Sequence, residues 1–114
     1  MSEKLMEKAR ELGRELARTR EIAEMHEAER AMLEDPAAGA IVREFNEMKN
    51  LFDLLAGEGR EPDAEQKKKA ADIEARAEAN PLIARFFGAQ KEVEILLERV
   101  NEEIGSGLLS AKGS

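Results

Sequence analysis

The amino-acid sequence predicts an all-α fold, an elongated helical hairpin or bundle of about four helices. The composition favours helix, because Ala, Glu, Leu, Lys and Arg dominate and 38% of the residues are charged, well above the roughly 25% of typical globular domains. Apolar residues recur at steps of three and four, the period of an amphipathic helix. Two Asx-Pro dipeptides, Asp35-Pro36 and Asn80-Pro81, are typical of helix starts.

The first two predicted helices meet at Asp35-Pro36. Residues 3–34 contain no proline, and their periodicity predicts one long helix. That helix ends before Pro36, because the residue preceding a proline is biased away from helical backbone angles. Asp35 then caps a second helix over 36–56, which glycines terminate. The apolar stripe of the first helix consists of Leu5, Ala9, Leu12, Leu16, Ala23 and Leu33.

Two more helices are predicted after a polar connector. Asp63 followed by Gln66 has the pattern of a capping box and predicts a helix over 63–79. Asn80-Pro81 opens the fourth helix, 81–104, which has the strongest amphipathic pattern of the chain. Gly105 is expected to cap it. Residues 1–105 are therefore expected to form a single domain, followed by a flexible tail over 106–114.

The length of the first helix predicts self-association. A helix of about 30 residues is roughly 45 Å long, whereas a compact globule of this chain length is about 35 Å across. The apolar residues on the part of this helix that extends beyond the globule need another protein surface to bury them. We therefore expect a homo-oligomer, a dimer or a higher assembly, that forms through helix faces. The candidate interface residues are Leu12, Leu16, His26, Phe45, Phe52, Phe86 and Leu97.

The chain offers little for catalysis or for cofactor and metal binding. It has no cysteine and one histidine, His26, so thiolate zinc sites, iron–sulfur ligation and paired-histidine metal motifs are excluded within one chain. Carboxylate pairs occur throughout, but a catalytic pair needs burial to separate its pKa values. We expect no enzyme, no catalytic, cofactor-binding or metal-binding residues, and no cofactor.

The charge balance of the chain indicates which classes of partner are disfavoured. With 25 acidic and 18 basic residues the net charge is −7, which repels nucleic-acid phosphates and anionic lipid headgroups. The run Lys67, Lys68 and Lys69 is a local patch rather than the continuous basic stripe of a nucleic-acid binder. No segment has the apolar core of a signal peptide or a membrane span. The sequence therefore predicts a cytoplasmic protein without a direct nucleic-acid or membrane partner.

The order and spacing of these elements resemble a known family. A long first helix precedes LEDPAAGAIVREFNEMK, and a polar connector precedes ANPLIARFFGAQKEVEILLERVNEEI. This arrangement, over roughly residues 5–105, is similar to the YlbF/YmcA family of small bacterial regulators. The resemblance implies a helical, self-associating and non-enzymatic protein. It also implies a role in competence, sporulation or biofilm formation through mRNA processing, with paralogues and the ribonuclease Y pathway as partners.

Two functional hypotheses follow. In the first, the chain is a regulatory adaptor that presents an acidic, methionine-bearing surface with Met6, Met25 and Met32 to partner proteins. In the alternative, it is a structural coiled-coil module that only oligomerises and has no dedicated client. Cysteine-bound clusters credited to some family members cannot be carried over, since this chain has no cysteine.

Overall fold

A computed structural model describes residues 2–113, except for the side chains of residues 112 and 113. Over this range the chain is all-α, as predicted, but it has five helices instead of about four. The helices are α1 Glu3–Ala17, α2 Arg20–Glu34, α3 Pro36–Gly57, α4 Ala64–Ala79 and α5 Pro81–Gly113.

The prediction of one helix over 3–34 is wrong, because the chain breaks between α1 and α2. The hydroxyl of Thr19 donates a hydrogen bond of 2.7 Å to the carbonyl oxygen of Leu16 and accepts one of 3.3 Å from the Ile22 N–H group. The backbone N–H group of Arg18 also donates a hydrogen bond of 3.1 Å to the Glu15 carbonyl oxygen, which closes a tight turn. Thr19 thus terminates one helix and caps the next, which a β-branched hydroxyl residue can do.

The predicted end of the last helix at residue 104 is also wrong. A glycine C-cap requires a left-handed backbone, and among the described residues only Gly59 has a positive φ, +69°. Gly105 stays within α5, which continues to Gly113. No proline follows Gly105, so each later residue can keep its backbone N–H group and helical backbone angles. The mobility of the tail over 106–114 stays a prediction.

The three other predicted helix starts are confirmed by their caps. The carboxylate of Asp35 accepts the Ala38 N–H at 2.9 Å, with Pro36 in the first turn. Asp63 and Gln66 form a reciprocal capping box, with bonds of 2.7 and 2.8 Å. The side-chain oxygen of Asn80 accepts two N–H groups at the start of α5, at 3.0 and 3.2 Å.

The chain divides into two compact units. The central unit comprises Ala28–Phe86, and the terminal unit comprises the residues up to Glu27 and those from Phe87 onward. The core of the central unit draws on α2, α3, α4 and the start of α5, with Met32, Ala38, Ala77 and Ile83 buried together. Ile41, Val42, Leu82 and Phe86 pack against that cluster. The behaviour of 1–105 as a single domain stays a prediction.

Candidate protein-interaction surface

Helix α1 leaves its apolar stripe largely in solvent. Leu5, Leu12 and Leu16 recur at helical spacing and share one face, yet α1 contains no buried residue. Leu5 is 59% exposed and Leu12 39% exposed, while Leu16 is half-buried. An amphipathic helix normally places such a stripe against a core. The stripe is therefore an unpartnered apolar face of the terminal unit, and we call it the α1 face.

The terminal unit also carries a groove between α2 and α5, which we call the α5 groove. Its volume is about 400 Å³. Ile95, Leu96 and Val100 supply its apolar part, and charged side chains supply the rest. Glu21 comes from α2, and Glu92, Arg99 and Glu103 come from α5.

Beyond this groove, α5 leaves several large apolar side chains in solvent. Leu97 is 42% exposed and Ile104 is 50% exposed. Leu108 and Leu109 are more exposed still, at 70% and 72%. These residues extend the uncovered apolar surface of the terminal unit to the last turns of α5. Scattered exposed leucines are common, but contiguous ones on one helix are typical of interaction surfaces.

The central unit has a second, smaller groove between α3 and α4, with a volume of about 180 Å³. Met48, Phe52 and Ile73 contribute to its apolar lining. An ion pair joins the two helices beside it. Arg76 donates two hydrogen bonds to the carboxylate of Glu44, at 2.8 and 3.2 Å, and one of 3.1 Å to Asp72. This two-bond geometry fixes the relative position of α3 and α4 more strictly than a single bond would.

The ion pair predicts a pH dependence of stability. Hydrogen bonding from Arg76 lowers the pKa of Glu44 below its ordinary value of 4.5. A carboxylate whose pKa is lowered by folding stabilises the native state above its unfolded pKa, and this contribution disappears as the pH falls through the folded pKa. Glu44→Gln is therefore expected to lower the urea midpoint at neutral pH and to leave it nearly unchanged below the lowered pKa.

A matched control for this prediction is Glu47→Gln, which removes the same charge from the same helix. Glu47 lines the groove without an ion pair to any side chain that the structure describes. Its replacement should change the urea midpoint little at either pH. Equal, pH-independent effects of the two substitutions would contradict a specific role for the Glu44–Arg76 pair.

The seven candidate interface residues divide between the two units. Leu12, Leu16, His26 and Leu97 belong to the terminal unit, whereas Phe45, Phe52 and Phe86 belong to the central unit. His26 is exposed and the three phenylalanines are half-buried. Phe86 packs against the core of the central unit, so part of its ring is already buried within the folded chain. The role of all seven in an interface stays a prediction.

The charged side chains that surround the α5 groove were not predicted from the sequence. Glu92 and Glu103 looked like ordinary solvated carboxylates, and Glu21 lies far from them in the sequence. A sequence signal for these residues was present, since Glu92, Leu96, Val100 and Glu103 follow one another at steps of four, four and three on one face of a helix.

The prediction of a methionine-bearing surface with Met6, Met25 and Met32 is wrong for Met32. This residue is 4% exposed and belongs to the core of the central unit.

The described residues contain neither a candidate metal cluster nor a candidate membrane span. No group of three His, Cys, Asp or Glu side chains among them is arranged to hold a metal ion. In the same residues, no helix combines the length and the apolar character needed to cross a bilayer.

Comparisons with known proteins agree with the fold. A family model described as control of competence regulator ComK, YlbF/YmcA, matches residues 5–108. A UPF0342 protein of Desulfitobacterium hafniense (strain Y51) is 31% identical over 102 residues, which are 89% of this chain and 77% of that protein. A chain in the crystal structure of Bacillus subtilis RicA in complex with RicF superposes with a TM-score of 0.77. It is 25% identical, and the match covers 96% of this chain and 97% of that one.

The fold and the exposed faces define an all-α protein with uncovered apolar helix surfaces. The chain belongs to the YlbF/YmcA family, the family described by control of the competence regulator ComK.

Proposed function

We propose that this protein is a non-enzymatic regulatory adaptor that acts by binding other proteins through the helix faces of its terminal unit. The observation that carries the proposal is the α1 face, an apolar stripe on a 15-residue helix without a single buried residue. Burial of apolar surface is the dominant favourable contribution to most protein association. A face left in water in this way is available for a partner helix.

The family supports this function. RicA, in the structural match, is solved in complex with another protein, RicF. We propose by the same resemblance that this chain forms homo-oligomers and pairs with paralogues. We further propose that it acts in control of competence, sporulation or biofilm formation through the ribonuclease Y pathway and mRNA processing.

The proposal is tested by affinity purification of the tagged full-length chain from its native host, followed by mass spectrometry. We expect a protein other than the chain itself to copurify in comparable amount. Leu5→Asp should reduce that recovery at least about tenfold, because it places a charge in an apolar interface. The matched control is Leu54→Asp on α3, since Leu54 is 61% exposed and Leu5 is 59% exposed. The control should retain the partner.

Three results would contradict the adaptor. Recovery of the chain alone, with light scattering showing an oligomer, would favour the structural oligomerisation module. Equal losses from Leu5→Asp and Leu54→Asp would remove the α1 face as the binding surface. A purified chain that turns over a substrate would contradict the non-enzymatic assignment.

A further inference from the structure

The α5 groove combines an apolar floor with charged side chains that form no ion pair within the described part of the chain. Ile95 is 45% exposed, and Leu96 and Val100 are half-buried. The charged side chains that line the groove are three carboxylates, Glu21, Glu92 and Glu103, and one guanidinium, Arg99. None of these four forms an ion pair or side-chain hydrogen bond with another side chain that the structure describes. The groove therefore has a net charge of −2 that this chain does not neutralise.

The spacing of these residues along α5 is regular. Glu92 and Glu103 are separated by about three helical turns, or about 16 Å at 1.5 Å per residue. Leu96 and Val100 lie between them, one turn apart, on the same face. An apolar pair bracketed by two carboxylates is the complement of a helix that carries an apolar pair bracketed by two cations.

We propose that the α5 groove binds a basic amphipathic helix of another protein. The partner helix carries two Lys or Arg residues about three turns apart, which face Glu92 and Glu103. Its apolar residues between them lie on Leu96 and Val100, and an acidic or neutral residue faces Arg99. This is the helix-in-groove mode of recognition. The inference rests on the proposed function and names the chemistry of its partner.

The charge pattern of α1 disfavours the α1 helix of a second copy as the occupant of the α5 groove. In α1 the residue three turns after Lys4 is Glu15, and the residue three turns after Glu7 is Arg18 at its C-cap. A second copy's α1 would therefore present opposite signs at the positions where the groove needs two cations.

The test is a fluorescence anisotropy titration of the full-length protein with a synthetic amphipathic helix. The probe is a labelled peptide of roughly 18 residues, with two lysines about three turns apart that bracket a leucine pair. A second peptide replaces both lysines by glutamine. The lysine peptide is expected to bind at least about threefold more tightly than the glutamine peptide at low ionic strength, and this difference should shrink as salt is added.

The decisive comparison uses two double variants that remove equal charge from α5. Glu92→Gln/Glu103→Gln should weaken the lysine peptide about fivefold, since exposed ion pairs contribute modestly, and should leave the glutamine peptide unaffected. Glu94→Gln/Glu98→Gln, which lies outside the groove, should change either affinity less than about twofold. In both variants the helix content measured by circular dichroism should match the original protein.

Several outcomes would overturn the proposal. If the two double variants weakened binding of the lysine peptide equally, the attraction would be non-specific and would not depend on the α5 groove. If the lysine and glutamine peptides bound with equal affinity, the groove would not recognise the charge of its partner. A dimer in light scattering that dissociates with Glu92→Gln/Glu103→Gln would make a second copy the occupant. If these tests fail while Leu5→Asp still removes a captured partner, the adaptor function stands and only the α5 groove assignment falls.

Discussion

Ile83→Ala is expected to lower the free energy of unfolding of this protein by about 2–5 kcal/mol, the usual range for removing a buried isoleucine side chain. Ile83 is 2% exposed and lies in the first turns of α5. It is buried with Met32, Ala38 and Ala77, so its side chain joins α5 to α2, α3 and α4. Its truncation leaves a cavity beside alanines that cannot fill it. Urea unfolding followed by far-UV circular dichroism measures the change.

The same helix offers a matched control, Ile104→Ala. Ile104 is 50% exposed, so its truncation removes less buried area and creates no closed cavity. We expect a loss of less than about 1 kcal/mol, partly offset by the better helix propensity of alanine. Similar losses at Ile83 and Ile104 would show that the central core does not dominate the stability of the chain.

The helix starts were predictable because their determinants are local. At Asp35, Asp63 and Asn80 a short polar side chain reaches N–H groups two or three residues further along the chain, so the dipeptide or four-residue pattern alone contains the interaction. The end of α3 was predictable for the same reason, since Gly59 supplies the left-handed residue. Its motif is completed by the Arg60 N–H, which donates a 2.8 Å bond to the Leu55 carbonyl oxygen.

Features that depend on a competition between local choices were not predictable. Thr19 interrupts the apolar stripe between Leu16 and Ala23, but its hydroxyl could have pointed to solvent in a continuous helix. Gly105 could have adopted a left-handed cap or remained helical. In both cases the pattern permitted two states, and the predicted state is not the one that forms.

The grooves were not predictable because they depend on tertiary placement. Glu21 meets the face of Glu92 and Glu103 only once α2 and α5 are adjacent. Glu44 and Arg76 are 32 residues apart, and nothing in the sequence distinguished them from the other charged pairs. A charge-rich helical chain contains many possible pairs, so the packing of its helices decides which ones form.

Asp35→Ala is expected to lower the free energy of unfolding by about 1–2 kcal/mol, at the upper end for an N-cap. The carboxylate of Asp35 satisfies the N–H group of Ala38, a residue that is 0% exposed. Alanine leaves that buried donor without its partner, and an unpaired buried donor is costly. The neighbouring backbone leaves little room for relaxation, because a Cβ atom added to Gly39 would lie 3.3 Å from the Leu33 carbonyl oxygen. Urea unfolding measures this loss.

Ser2→Ala is the informative comparison, because it removes an N-cap that does not adjoin a core. Ser2 accepts the Leu5 N–H at 3.2 Å, and α1 contains no buried residue. The freed N–H group can therefore bond to water, and fraying of α1 exposes no core residue. We expect Ser2→Ala to change the free energy of unfolding by less than about 0.5 kcal/mol. A loss as large as that from Asp35→Ala would mean that α1 is held by packing in solution. The α1 face would then be covered and unavailable to a partner.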